Sequence, residues 1–139
     1  MTNDALFLDT AYIFALFNTR DQWHEQALKW QRKIVLENLP VLTTEFVLVE
    51  IGNGLSSIKF RGSAANIIQT LQENAFVKII PTSSELFVQA FNLYEQRQDK
   101  SWGLTDCISF VVMRENEITE ALTTDDHFRQ AGFKALLLS

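Results

Sequence analysis

Short apolar runs alternate along the chain with segments whose apolar residues recur at helical spacing. The runs cover 5–8, 41–43, 76–80, 121–123 and 134–138. They are continuous rather than alternating in polarity, as expected of strands covered on both faces. After the first run, Trp23, Ala27, Trp30 and Ile34 share one helix face, with Asp21 as the expected N-cap. Val47, Ile51, Leu55 and Ile58 repeat that spacing after the second run. Arg61-Gly62-Ser63 then reads as a stop and restart: Gly62 ends one helix and Ser63 caps the next, from which Ile67, Ile68 and Leu71 face the core. Thr82 and Glu85 have capping-box spacing, and the helix they open is expected to bury Leu86, Phe87, Ala90, Phe91 and Tyr94. Residues 105–115 are apolar nearly all round until Arg114, so that helix is expected to be buried on more than one side. A short helix after Asp125 is expected to end at Gly132. Five strands with intervening helices predict a three-layer α/β/α fold around a five-stranded, mainly parallel sheet. No linker, repeat or low-complexity stretch divides 1–139, so one domain is expected.

Composition narrows the picture. With 47% hydrophobic residues, including 11 Phe, the 139-residue chain builds a full core without staples. A formal net charge of −5 with no block of like charge excludes a basic nucleic-acid-binding tail, so any contact with nucleic acid comes from a local patch. Cys107 is the sole cysteine, which rules out an intrachain disulfide, and its apolar helix reads as the setting of a buried thiol. The start, Met1-Thr2-Asn3-Asp4, has no basic n-region, and no apolar run reaches the ~18 residues of a membrane span. The expectation is a soluble, cytoplasmic chain with no signal peptide and no membrane contact.

Four acids stand out against this pattern. Asp9 closes Ala5-Leu6-Phe7-Leu8, and Asp125 follows Ala121-Leu122-Thr123-Thr124. Asp106 opens the apolar helix, and Glu50 lies inside Phe46-Val47-Leu48-Val49-Glu50-Ile51. Carboxylates rarely stay beside a core uncompensated. Each has an ordinary reading: Asp9 as a helix N-cap, Asp106 as a complement to the helix dipole, Glu50 as a solvated side chain, and Asp125 or its neighbour Asp126 as a cap. Together, all four fall where the carboxyl edge of one parallel sheet collects them. Two unit charges 4 Å apart repel by ~4 kcal/mol at an effective dielectric of 20, so such a cluster takes up protons or cations. Oxygen-only ligands suit Mg²⁺ or Mn²⁺ rather than Zn²⁺.

The segments Leu6-Phe7-Leu8-Asp9-Thr10, Glu45-Phe46-Val47-Leu48-Val49-Glu50, Trp102-Gly103-Leu104-Thr105-Asp106-Cys107 and Leu122-Thr123-Thr124-Asp125-Asp126-His127-Phe128 resemble the four acidic motifs of PIN-domain ribonucleases. They are similar in particular to the VapC-type toxins of toxin–antitoxin pairs, over essentially the whole chain and in the right order. The resemblance implies the PIN fold and a Mg²⁺- or Mn²⁺-dependent endoribonuclease that leaves 5′-phosphate and 3′-hydroxyl ends. It implies that Asp9, Glu50, Asp106 and Asp125 bind the metal, with Asp126 as a substitute at the variable fourth position. Thr10 then bonds a water of the ion, and Thr123 or Thr124 orients the last acid. It further implies an RNA substrate, a cognate antitoxin seated in an apolar groove near the Trp23/Trp30 and Leu55/Ile58/Phe60 helices, and a homodimer. The contrasting expectation is a PIN-like RNA- or protein-binding module without catalysis.

Other residues invite different readings. His127 reads as a surface histidine at a helix start, His24 as structural, and Glu45 as a complement to the dipole of the helix it begins. Gly52 and Gly54, costly inside a helix, fit either tight helix packing or close approach by RNA or another chain. Trp102 reads as packing against the sheet, with base stacking as the alternative. Lys59, Arg61, Arg97, Lys100, Arg114 and Arg129 are the basic residues available to phosphates. Rival phosphate chemistries fail on particular positions. A haloacid-dehalogenase-like phosphatase wants an acid where Ala11 stands, and a receiver domain wants one where the third run ends Ile80-Pro81-Thr82. A P-loop needs a Gly-rich lysine motif that the chain does not contain.

Overall fold

A computed structural model describes residues 4–139. Met1-Thr2-Asn3, which enter the reading of the amino terminus, lie outside the described residues. The elements run β1 (Leu6–Leu8), α1 (Thr10–Phe17), α2 (His24–Glu37), β2 (Val41–Thr44), α3 (Glu45–Gly54), α4 (Arg61–Glu73), β3 (Val77–Ile80), α5 (Ser84–Gln96), α6 (Leu104–Glu115), β4 (Glu120–Leu122), α7 (Asp126–Gln130) and β5 (Lys134–Ala135), closing with a 3-10 turn (Leu136–Leu138). The strands form one sheet in the order β3-β2-β1-β4-β5, and every pairing is parallel. The fold is thus the parallel α/β sandwich expected from the pattern.

Strand order decides where a site can form. The chain steps from β1 to β2 to β3 in one direction, then crosses back to β4 and β5 in the other. Right-handed crossovers therefore send α1–α4 to one face and α5–α7 to the other, and the packing agrees: α1 lies against α2 and α3, α3 against α4, α5 against α6, and α6 against α7. The order reverses between β1 and β4, so a crevice opens beyond their carboxyl ends. Buried threonines stiffen that edge. Thr43 Oγ1 donates to Leu8 O at 2.8 Å, and Thr44 Oγ1 caps α3 by accepting from Val47 N at 3.1 Å.

Several local expectations are corrected. Asp21 accepts from Trp23 N at 2.8 Å in a turn, and α2 begins only at His24. The third helix stops at Gly54, so Ile58 falls in the connection and is 97% exposed, while Gly62 lies in the first turn of α4. Gly54 sits against Phe14, whose ring would overlap a Cβ built there; close packing within the chain explains this glycine. Ser83, not Thr82, caps α5 by accepting from Leu86 N at 3.0 Å, whereas Thr82 N donates to Glu45 Oε1. Only Leu86 and Ala90 of α5 are buried; Phe87, Phe91 and Tyr94 lie 41–46% exposed, because α5 packs mainly against α6 and these rings stand away from that contact among the described residues. The last apolar run leaves the sheet after Ala135, since Leu137 N turns to Thr123 O at 3.2 Å and Leu136 and Leu137 enter the core through the 3-10 turn. Among the described residues no helix is long and apolar enough to cross a membrane.

Candidate metal centre at the sheet edge

The four acids arrive from four segments at the crevice between β1 and β4. Asp9 is the first residue beyond β1, and its N–H donates to Leu122 O of β4 at 3.3 Å. It stands at the N-cap position of α1 without capping through its side chain; the carboxylate instead accepts from Thr123 Oγ1 at 2.7 Å. Asp125 N donates to the same threonine hydroxyl oxygen at 3.0 Å. Thr123 therefore ties the first acid to the last. Of the two threonines expected to orient the last acid, Thr123 makes both contacts, while Thr124, also expected to support the site, makes neither.

Glu50 reaches in from α3 on one face of the sheet. Thr10 Oγ1 donates to its Oε1 at 2.8 Å, so this hydroxyl orients a neighbouring acid directly rather than only a water. Asp106 comes from α6 on the opposite face. As a first-turn residue it accepts from Gly103 N at 3.0 Å. The loop before it is anchored by Trp102, which is 4% exposed, meets Phe110 edge-on and donates from Nε1 to Gln130 Oε1 at 3.1 Å. Trp102 is thus a packing residue.

Asp125 caps α7 by accepting from His127 N at 2.9 Å. That turn folds His127 back over the acids, with Nδ1 at 3.1 Å from Asp106 Oδ2 and 3.3 Å from Asp125 Oδ1. The surface reading of His127 is therefore corrected; the available signal was its place two residues after an acid that begins a helix. Asp126 points outward, is mostly exposed and pairs with Arg129 at 3.8 Å. His24, by contrast, is structural, with Nδ1 bonded to Ala15 O at 2.8 Å.

Asp9, Glu50, Asp106 and Asp125 line one open cavity of about 410 Å³, walled by Phe14 and Gly54 and carrying Asn53, which sequence reasoning passed over. Among the described residues that line it there is no lysine or arginine. Asp9 bears the consequence. Burial pushes its carboxyl up to about 7, and the charges of Glu50 and Asp106 add to this, against the hydrogen bond from Thr123. Burial likewise raises Asp106, with Asp125 adding and the Gly103 N–H opposing. Clustered carboxylates, an adjacent imidazole and no fixed counter-charge make a donor set that fits a divalent cation; Asp106, Asp125 and His127 in particular have ligand atoms within 4.8 Å of one another.

The basic residues lie elsewhere. Arg97 pairs with Asp99 and stacks on Trp102, Arg114 covers Phe133, Arg129 reaches Leu138 O, and Lys59 covers Phe60. Arg97 and Lys100 line a neighbouring cleft that extends to Gly103.

The chain resembles known proteins along most of their length. The chain is 28% identical over 129 residues, 92% of its own length and 95% of the relative's, to the 23S rRNA-specific endonuclease VapC20 of Mycobacterium tuberculosis, in strains CDC 1551 / Oshkosh and ATCC 25618 / H37Rv alike. It superposes on the crystal structure of that sarcin-ricin-loop-cleaving toxin with a TM-score of 0.78 and 26% identity, covering 92% of this chain and 95% of the other. A second structure, FitAcB from Neisseria gonorrhoeae, shares the fold at a TM-score of 0.63 and 19% identity, covering 94% of each chain. Residues 6–134 match the family model of the PIN domain, a span that takes in all four acids at the sheet edge: the chain belongs to the PIN-domain family.

Proposed function

We propose that this protein is a divalent-metal-dependent endoribonuclease of the VapC toxin type. The observation that carries this reading is the meeting of Asp9, Glu50, Asp106 and Asp125, from both faces of the sheet, in one cavity with no lysine or arginine among the described residues of its wall. Mg²⁺ or Mn²⁺ is the proposed cofactor; bound there, it lowers the pKa of a water and neutralises charge on the phosphate. Asp9 and Asp106 are its principal ligands, and Glu50 and Asp125 complete the set. Thr123 holds Asp9, Thr10 holds Glu50 and the Gly103 N–H holds Asp106, so each acid keeps its orientation as a phosphodiester enters. Asp126 takes no part.

The relative's name supports a structured ribosomal RNA as substrate, with Arg97 and Lys100 in the adjoining cleft meeting backbone phosphates. An RNA substrate also supports a cytoplasmic location. An antitoxin segment is proposed to lie in the apolar groove between α1, α2 and α4, past Leu16, Phe17, Ile34, Val35, Ile67 and Leu71, which Trp23 and Trp30 do not line. A second groove bounded by Phe14, Phe17, Leu55 and Phe60 leads from it toward the acids. The bare stripe of Phe87, Val88, Phe91 and Tyr94 on α5 suits a second copy of the chain.

Cleavage of total RNA with end mapping tests the function. The wild-type chain should cut with Mg²⁺ or Mn²⁺ and not with chelator, while Asp9→Asn and Asp106→Asn should be inert yet folded. Undiminished cleavage by both variants would overturn the reading.

A further inference from the structure

Among the described residues, His127 carries the one imidazole that the fold turns onto the acids, and the four acidic motifs give it no role. We propose that His127 is a direct ligand of the divalent ion, forming with Asp106 and Asp125 a mixed oxygen–nitrogen site that discriminates Mn²⁺ from Mg²⁺; this rests on the metal-dependent reading above. Spacing supports it first. Ligands held ~2.1 Å from an octahedral cation and 90° apart are separated by about 3 Å. Nδ1 is hydrogen-bonded to Asp106 Oδ2 at 3.1 Å and stands 3.3 Å from Asp125 Oδ1, distances that are also those of adjacent ligands on one such ion. Orientation supports it next. The Asp125 carboxylate fixes the His127 backbone N–H at 2.9 Å, which aims Nδ1 inward while the ring keeps a partly open face. A neutral imidazole with its proton on Nε2 presents Nδ1 as the donor atom, so any Nδ1 proton leaves as the ion enters.

Chemistry supplies the consequence. Mg²⁺ prefers oxygen and gains little from imidazole, whereas transition-metal ions accept nitrogen readily. A site of four carboxylates alone discriminates weakly between Mg²⁺ and Mn²⁺; one that includes His127 favours Mn²⁺.

Electron spin-echo measurements on Mn²⁺ titrated into the full chain decide this. The wild type should show the ¹⁴N modulation of a directly bound imidazole, and so should His24→Gln, which removes the only other histidine. His127→Asn and His127→Gln should lose the modulation and bind Mn²⁺ about tenfold or more weakly, with Mg²⁺ affinity, measured by competition, changing far less. Bound Mn²⁺ without nitrogen modulation in the wild type would overturn the assignment and leave His127 as a hydrogen-bond anchor; that spectrum decides even if a variant folds poorly. RNA cleavage assayed in parallel separates the two readings. A wild type that cuts RNA with Mn²⁺ but shows no nitrogen coupling sinks only the ligand, whereas one that cuts nothing with either ion sinks the nuclease.

Discussion

Asp9→Asn should strengthen the metal-free fold while abolishing the reaction. The folded carboxyl titrates near 7, against an ordinary value of 3.8, chiefly because it is buried. Between those values the folded chain keeps a proton that the unfolded chain has lost. Stability is therefore greatest below the unfolded value, falls as pH rises through the window, and levels off above about 7. At ~1.36 kcal/mol per pH unit the full displacement is worth ~4 kcal/mol, an upper bound because the cavity opens to solvent. Asparagine keeps an acceptor for Thr123 Oγ1 and removes the charge. Urea denaturation in chelator, at pH 5, 6.5 and 8, should show wild-type stability dropping by ~2–3 kcal/mol over that range. The variant should drop less and be the more stable protein at pH 8. Asp106 is also raised and slopes both curves in the same direction, so the difference between them reports Asp9 together with its coupling to Asp106. A difference that does not change with pH would refute the linkage.

Three further outcomes follow from single contacts. Thr123→Val conserves shape but removes both the donor to Asp9 and the acceptor for Asp125 N; calorimetric titration should find divalent-ion affinity about 10–100-fold lower, as for other residues that orient metal ligands. Thr44→Val removes the N-cap of α3, the helix that carries Glu50; it should cost ~1 kcal/mol in thermal or urea unfolding. Phe91→Glu places a charge in the centre of the bare α5 stripe; light scattering should record a monomer in place of a dimer, with the circular dichroism spectrum unchanged.

The sheet was readable because its strands are continuous apolar runs, too short for a buried helix and too apolar for a surface loop. Periodicity reports that a residue is apolar, not what covers it. Phe87, Phe91 and Tyr94 carry the spacing of a buried face and lie bare, and Ile58 fits the third helix's stripe yet sits beyond its end. Leu136 and Leu137 reach the core from a 3-10 turn rather than from a strand, which composition does not distinguish. The acids were legible for the same reason as the strands: each interrupts an apolar segment. Their partners were not. The bond from Thr123 to Asp9 joins positions 114 residues apart and needs β1 beside β4, an adjacency that strand order sets and local spacing does not carry.

That adjacency explains why the burden falls on Asp9. Leu8 pairs with Leu122 in register, so the residues that follow, Asp9 and Thr123, become lateral neighbours at the sheet edge. The hydrogen bond between them follows from the pairing. The crossovers on either side of this point run to opposite faces, and the crevice above it stays open. Asp9 is thus stripped of water from below by two strands and exposed from above to the charges of Glu50 and Asp106. Burial and like charge, which raise its pKa, are the two costs that a dication at the same spot relieves, one by direct coordination and the other by neutralisation. Proton and ion therefore compete for one carboxylate, and ion affinity should rise with pH over the window in which the metal-free fold weakens. Removing the charge gives up the ion to gain stability, so the carboxylate that weakens the empty protein above pH 7 is also one through which an ion stabilises it.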